Sequence, residues 1–386
     1  MSQPVTPPFE SSPATAPMPQ RLVSLDAFRG ATMALMVLVN NSGDWSHTYG
    51  PLRHSAWNGW TITDVVFPSF LWIVGVAITL SLGGRLARGI ARSRLMLQAL
   101  RRAAILYGLG ALCYLLPSFD FGTMRLLGVL QRIAICYLIA SAIYLYAPRI
   151  RTQILWIVFL LAGYWLIMTL IPVPCYGAGR LDMEGNLAHY VDRIVLGAHN
   201  YAPTKTWDPE GIVSTLPAIA TALFGILAGH LLRQTRGLDW KTTRLFFIGN
   251  ALIGLGLICD IWLPINKQLW TSSFSLFMAG LDFVLLAGFI YLIDDLGYKR
   301  IVQPLVVFGM NAIAIYMLSE LLAIALMSIH WHAAAGTISL QSWLFDHCFA
   351  PLVSPYDAAL VWALAFVLLM YVAAYALYRR KWFIRV

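Results

Sequence analysis

Ten runs of apolar residues divide this chain, and most of them are long enough to cross a lipid bilayer. About 20 apolar residues span a membrane as a helix, whereas the strands of a membrane barrel are much shorter. Hydrophobic residues make up 59% of the chain and charged residues only 12%, although a soluble domain carries roughly twice that charge. The sequence therefore predicts an all-α fold, a polytopic membrane helical bundle that forms a single transmembrane domain over residues 21–386. The predicted spans are 27–40, 62–82, 102–117, 126–147, 154–173, 212–232, 244–263, 271–293, 302–329 and 358–378.

Lysine and arginine distinguish the two sides of this predicted bundle. With both termini on one side, that side carries twenty of the 27 Lys and Arg residues, and the other side carries five. Positive charge is retained on the cytoplasmic side, so both termini are expected to be cytoplasmic, in a multi-pass protein of the cell inner membrane. The membrane topology then explains the net charge of +9, and no nucleic-acid partner is expected. Residues 1–20 are rich in Pro, Ser and Thr, which predicts a disordered cytoplasmic tail.

The segment 54–64, HSAWNGWTITD, concentrates polar groups between the first two predicted spans. An imidazole can accept and release a proton near neutral pH, which makes His54 a candidate general base, although a single histidine is more often an ordinary loop residue. Asp64 begins the second span, where a free carboxylate is costly. It could orient a histidine, pair with an arginine or cap the helix.

Aromatic and amide side chains lie between these two residues. Trp57 and Trp60 offer flat faces for a sugar ring, and Asn58 offers an amide. The alternative is the interfacial aromatic belt that membrane proteins have in any case.

A stripe that is polar at both ends and apolar in the middle follows one face of the first predicted span. Asp26, Arg29, Met33, Met36 and Asn40 recur at steps of three and four residues, which places them on one side of a helix. This stripe is interpreted as one wall of a channel for a long, thin ligand. In the alternative, Asp26 and Arg29 only cap the helix and pair with each other.

Further ionisable groups lie within or beside the predicted spans. An arginine inside the fourth span, Arg132, should meet a carboxylate, phosphate or carbonyl, and a structural ion pair with Asp282 is the alternative. Glu210, with its neighbour Asp208, could serve a site or simply favour the N-terminus of the next span. Asn311 and Glu320, nine residues apart, would face opposite sides of a regular ninth helix.

Cysteine and histidine patterns give little support for other chemistry. Cys175 and Cys348 fall in outer loops, which leaves a disulfide between them open. There is no CxxC or HExxH motif, so no metal is expected.

Eight motifs cover nearly the whole chain: RLVSLDAFRG, MALMVLVNNSG, HSAWNGWTITDVVFPSFLWIVG, GVLQRIAICY, YVDRIVLG, DPEGIVSTLPAIATALFGILAG, LPINKQLWTSSF and GMNAIAIY. The motifs of the first two spans are the most specific, and the others are individually weaker. In these motifs the sequence resembles transmembrane acyltransferases related to heparan-α-glucosaminide N-acetyltransferase, which include bacterial NagX-like members.

The resemblance implies acetyl transfer from cytosolic acetyl-CoA to the amino group of a glucosamine on the other side of the membrane. His54 matches the active-site histidine of the family, and Asn40 matches the asparagine near it, which would stabilise negative charge on the thioester oxygen. A homodimer is one assembly that the resemblance allows. The residues assigned to the CoA donor are Arg29, Asp26 and Arg132, and those assigned to the acceptor are Trp57, Asn58, Trp60, Asp64 and Glu210.

Three questions stay open at this point. Transfer could be direct or could pass through acetyl-His54. The same polar groups could form the binding site of an amino-sugar permease, or of an O-acyltransferase that acts on a cell-envelope glycan.

Overall fold

A computed structural model describes residues 22–333 and 336–384, so the predicted tail 1–20 lies outside the described residues. Within this part of the chain, nine helices are long and apolar enough to cross a membrane, and one bent helix pair brings the number to as many as ten. The predicted all-α polytopic bundle is confirmed. The helices are α1 (Val23–Asn40), α2 (Ile62–Ala87), α3 (Arg92–Leu115), α4 (Val129–Tyr146), α5 (Ile150–Leu170), α6 (Leu187–Val195), α7 (Thr215–Leu232), α8 (Leu238–Asp260), α9 (Ser272–Phe289), α10 (Gln303–Met310), α11 (Ala312–Ser328), α12 (Leu340–Cys348) and α13 (Pro355–Arg379).

Two predicted spans are longer than their apolar cores suggested. The first begins at Val23, and the third begins at Arg92, about three turns before the predicted start. A short two-stranded antiparallel sheet pairs β1 (His330–Ala333) with β2 (Gly336–Ser339). One π-helical turn, Ile290–Asp295, continues α9.

The core of the bundle lies where α2, α7 and α9 pack together, and these helices are the most buried of the long ones together with α1 and α4. A close crossing joins α2 and α7 through glycines. A Cβ atom added at Gly75 would lie 1.9 Å from the carbonyl oxygen of Ala222, and one added at Gly225 would lie 1.9 Å from that of Trp72. By contrast, α8 and α13 are mostly exposed, as expected for helices that face lipid.

The predicted continuous ninth span is wrong, because the chain bends by 80° between α10 and α11. Asn311 lies at the bend, where its side-chain amide donates to the carbonyl of Trp382 (3.1 Å) and its oxygen accepts from the amide of Ile384 (2.9 Å). The carboxyl-terminal segment therefore binds the bend, and the expectation that Asn311 and Glu320 lie on one regular helix fails.

Loops from distant parts of the sequence meet at one end of the bundle, which we call the His54 end. It comprises the connections 41–61, 116–128, 171–214, 261–271 and 329–354. The backbone amide of Gly59 donates to Ile265 (2.7 Å), and the indole of Trp57 donates to Leu181 (3.0 Å). These contacts bring three of the connections together around His54.

Candidate active site

His54 is held by a buried carboxylate. Its Nδ1 lies 2.6 Å from Oδ1 of Asp64; the Asp64 side chain is fully buried, whereas 45% of the His54 side chain is exposed. The other oxygen of Asp64 accepts from the backbone amides of Ser55 (3.0 Å) and Thr61 (3.0 Å). Asp64 therefore caps α2 and orients His54 at the same time, which unites two of its three predicted roles. The contact with Asp64 engages Nδ1 of the ring and not Nε2.

Lys267 is the other neighbour of this imidazole. Its Nζ lies 3.4 Å from each ring nitrogen of His54. Burial lowers the pKa of Lys267, and the carboxylates of Glu210 and Asp64 act in the opposite direction. The site thus combines an imidazole, a carboxylate and a cation.

Aromatic residues line one side of the His54 loop. Trp57 packs edge-on against Trp207 and His189, which stack on each other with centroids 3.9 Å apart. The Nδ1 of His189 lies 2.7 Å from the carbonyl of Met183 and donates to it, and burial lowers the pKa of this imidazole to about 4. His189 is therefore neutral at physiological pH, and Trp57 belongs to a packed wall.

The remaining predicted acceptor residues of the loop occupy different surroundings. Trp60 is 41% exposed and lies against Phe277, with centroids 5.1 Å apart. The Oδ1 atom of Asn58 accepts a hydrogen bond from Asn266 (3.2 Å). Trp60 thus presents an exposed ring in the loop that carries His54, while Asn58 joins this loop to the segment that carries Lys267.

A buried ion cluster lies at the same end, and Glu210 belongs to it. The guanidinium of Arg125 makes two hydrogen bonds to Asp208 (2.7 and 2.6 Å) and another to Glu210. Burial raises the pKa of Glu210, but the charges of Arg125, Lys267 and Arg132 together outweigh it and the net shift is downward. Arg125 also lies 4.3 Å from the ring centroid of Tyr201. The structure thus engages Glu210 in an ion pair that the local sequence did not indicate.

Asp192 fixes the backbone that carries this cluster. Its carboxylate accepts from the amides of Ile212 (2.9 Å) and Asp208 (3.4 Å). A Cβ atom at Gly211 would lie 2.0 Å from the same carboxylate, so only glycine fits there. Burial raises the pKa of Asp192 to about 6.

Arg132 and Asp282 do not form the ion pair that was the structural alternative. Arg132 is fully buried; it donates to the carbonyl of Gly211 (3.0 Å) and to the Ser214 hydroxyl, and lies 5.2 Å from the ring centroid of Trp270. Asp282 instead accepts from the hydroxyl of Ser69. Arg132 therefore meets a carbonyl, one of its three predicted partners.

The predicted donor-side pair is formed at the opposite end of the bundle. Arg29 and Asp26 make an ion pair of 2.8 Å, and Nε of Arg29 donates to the carbonyl of Gly309 (2.6 Å). The helix begins at Val23 without a side-chain cap. Of the alternative in which Asp26 and Arg29 cap the helix and pair with each other, the structure therefore forms the ion pair but not the cap.

Asn40 lies away from this pair, at the other end of α1. It is exposed and lines a cleft that also contains Trp45, Gln341 and Trp362. Among the described residues, the hydrogen-bonding neighbours of the His54 ring are Asp64 and Lys267, and Asn40 is not one of them. The two residues predicted to be catalytic are thus not joined by a hydrogen bond.

Cys175 and Cys348 are both free and exposed, so the disulfide that the sequence left open is not formed. No group of three or more His, Cys, Asp or Glu side chains is arranged to hold a metal ion within residues 22–333 and 336–384.

Sequence reasoning missed Lys267 and the Arg125 cluster. Arg125 and Asp208 are 83 residues apart, and no local pattern links them. For Lys267 a signal existed, because it lies in the motif LPINKQLWTSSF, on the same predicted side of the membrane as His54.

Comparison with known proteins supports the resemblance. The family model for the catalytic region of heparan-alpha-glucosaminide N-acetyltransferase matches residues 21–262. The human protein named heparan-alpha-glucosaminide N-acetyltransferase is 29% identical over 78% of this chain and 53% of its own length. The mouse protein of the same name is 28% identical over 78% of this chain and 54% of its own length. The chain spans about half the length of these curated relatives.

Proposed function

The chain belongs to the heparan-alpha-glucosaminide N-acetyltransferase family, and on that premise we propose that it moves an acetyl group across a membrane. The donor is cytosolic acetyl-CoA, and the acceptor is the amino group of a glucosamine-type sugar on the opposite, outer side. The observation that carries this proposal is the His54 imidazole, which is held by buried Asp64 and keeps Nε2 available. The lysine and arginine distribution supports this sidedness, and the membrane we propose is the cell inner membrane.

His54 acts as the general base. An amine attacks a thioester only after its ammonium form has released one proton to the solvent, and attack then releases a second proton. Nε2 of His54 accepts that second proton and passes it to the CoA thiolate. The N–C bond forms, the C–S bond breaks, and the products are an N-acetyl sugar and free CoA. Asp64 holds the tautomer with its proton on Nδ1 and stabilises the imidazolium.

Donor and acceptor use opposite ends of the protein. Asp26 and Arg29 lie near the start of α1, where a guanidinium could receive the phosphates of CoA. Arg132 lies deep in the bundle, on the path that the pantetheine arm would follow toward His54. Trp60 supplies the exposed ring for the sugar face. Asn58 and Trp57 stabilise the loop that carries this ring through their hydrogen bonds. Glu210 stabilises the neighbouring connection through its ion pair with Arg125.

Asn40 keeps its proposed role as a stabiliser of the thioester oxygen. It lies in a cleft between α1, α11, α12 and α13, so this role requires the acyl group to reach that cleft. Transfer directly to the amine and transfer through acetyl-His54 both use Nε2. Acid-quenched single turnovers with labelled acetyl-CoA distinguish them, because only the second route leaves label on the protein.

The proposal is tested in liposomes that contain the purified protein, with radiolabelled acetyl-CoA and glucosamine. We expect labelled N-acetylglucosamine from the wild type, and a loss of about a thousandfold in turnover for His54→Ala. The matched control is His47→Ala, since His47 lies in the same loop and has the same 2.6 Å contact to an aspartate. It should keep wild-type turnover within about threefold.

Other outcomes would replace the proposal. Transport of glucosamine without acetyl-CoA, together with no product, would indicate a permease. Acetylation of a cell-wall glycan hydroxyl in preference to the amine would indicate an O-acyltransferase. Equal product from wild type and His54→Ala would remove His54 from the mechanism.

A further inference from the structure

Lys267 is fixed in position by the loop that carries His54. The backbone amide of Gly59 donates to Ile265 (2.7 Å), and Asn266 donates from its side chain to Asn58 (3.2 Å). On the other side of Lys267, the amide of Leu269 donates to the side-chain oxygen of Asn266 (2.9 Å). Hydrogen bonds thus join the residues before Lys267 to the His54 loop, and another hydrogen bond closes the turn that contains Lys267. Such anchoring is what a residue needs if its side chain must keep one position relative to an imidazole.

The ammonium group of this lysine lies beside the reacting nitrogen. Nζ is 3.4 Å from Nε2 of His54 and 3.4 Å from Nδ1. Because Nδ1 is bound to Asp64, a substrate amine must approach Nε2. The carbonyl carbon under attack is then one bond from that amine, and its oxygen comes within reach of Nζ.

The charges around Lys267 favour an ammonium ion. Two carboxylates act on it, from Asp64 in α2 and Glu210 before α7, and the cations that oppose them are Arg132 and Arg125. Burial lowers the pKa of Lys267. An ammonium group 3.4 Å from Nε2 of His54 suits an anion that forms on the substrate there.

We propose that Lys267 is a further catalytic residue that donates a hydrogen bond to the acyl oxygen while negative charge develops there. This inference rests on the proposed acetyl transfer. The amine proton passes to Nε2 of His54 and then to the thiolate, as above, while Lys267 keeps all of its protons and only stabilises the oxyanion. A charged donor makes a stronger hydrogen bond than a neutral amide, and Lys267, unlike Asn40, is in contact with His54.

The test compares Lys267→Met with Lys267→Arg in proteoliposomes. Methionine has a similar length without the charge, and arginine keeps a donor cation in the same place. Removal of one oxyanion donor costs about 10²- to 10³-fold in turnover, so we expect that loss in kcat for Lys267→Met, with KM for acetyl-CoA within about threefold. The kcat of Lys267→Arg should be at least about tenfold higher than that of Lys267→Met. Lys205→Met, which removes an exposed lysine of an outer loop, is the control and should match the wild type.

A spectroscopic measurement excludes a purely structural role. The infrared stretch of carbonyl-labelled acetyl-CoA bound to the protein should move to higher frequency in Lys267→Met and remain unchanged in His54→Ala. Unchanged kcat in Lys267→Met, an unchanged carbonyl stretch, or equal losses in the methionine and arginine variants would each overturn the proposal. Failure of the proposed function itself is distinguishable, because the wild type would then form no product.

Discussion

The loop between α1 and α2 contains two histidine–aspartate pairs that are alike in contact and different in anchoring. His47 lies 2.6 Å from Asp44, and His54 lies 2.6 Å from Asp64. Both imidazoles are exposed to a similar degree, 44% and 45%, but the side chain of Asp44 is 32% exposed and that of Asp64 is fully buried. The distance alone therefore does not identify the active pair.

What differs is the surroundings of each carboxylate. Asp44 is three residues from His47 and accepts from the nearby amide of Ser46 (2.8 Å), so the whole pair is a local turn. Asp64 is ten residues from His54 and is part of the α2 cap, and Lys267 approaches from another connection. A carboxylate without solvent interacts more strongly with its imidazole. We infer that rigid anchoring, and not the hydrogen bond itself, is what makes His54 suitable as a base.

The largest expected effect comes from removing the charge of the buried carboxylate. Asp64→Asn should reduce acetyl transfer by about a thousandfold, because a neutral amide neither fixes the tautomer nor stabilises the imidazolium. The matched change, Asp44→Asn, should stay within about threefold of the wild type. Turnover of both variants in the same liposome assay measures the contrast. Similar losses in the two variants would show that the two pairs are equivalent.

A second variant tests whether different residues at the His54 end determine stability and catalysis. Arg125→Met leaves the buried carboxylates of Asp208 and Glu210 without their cation, and loss of one partner of a buried ion pair costs about 3 kcal/mol or more. His54→Ala should change stability little, because its side chain is half exposed. Thermal unfolding in detergent measures both. A larger loss of stability in His54→Ala than in Arg125→Met would reverse this assignment.

The smallest expected effect concerns pH. Burial raises the pKa of Asp192 from 3.8 to about 6, so between these values the folded protein holds a proton that the unfolded chain has lost. The free energy of unfolding should therefore fall as the pH rises from about 4 to about 6, by at most about 3 kcal/mol.

Asp192→Asn should lack this decrease and be more stable than the wild type above pH 6. Asp44 should change the free energy of unfolding in the opposite direction. Its hydrogen bond to His47 lowers the pKa of its carboxyl, so its contribution to stability is lost as the pH falls. Melting temperatures from about pH 2 to about pH 7 check both. Parallel curves for the wild type and Asp192→Asn would contradict this assignment.

The sequence predicted the helices well because each span is a long apolar run that can satisfy its backbone only as a helix. It failed at Asn311, where the helix is broken. The partners of Asn311, Trp382 and Ile384, are more than 70 residues away, so no local periodicity marks the bend.

The candidate site could be predicted only where its contacts are short in sequence or carried by a motif. His54 and Asp64 lie in one segment, and capping chemistry already limited what Asp64 could do. Lys267 reaches His54 across 213 residues, and the tertiary structure alone brings them together. Arg132 illustrates the same limit, since its intramembrane position predicted a polar partner but not which one.

The most direct test of the account is the side of the membrane on which product forms. Liposomes with the protein in one orientation would receive labelled acetyl-CoA on the side of the termini and glucosamine on the His54 side. We predict labelled N-acetylglucosamine on the His54 side, only when acetyl-CoA is supplied on the side of the termini, and none from Asp64→Asn above about a thousandth of the wild-type rate. Product on the same side as the donor would contradict transfer across the membrane.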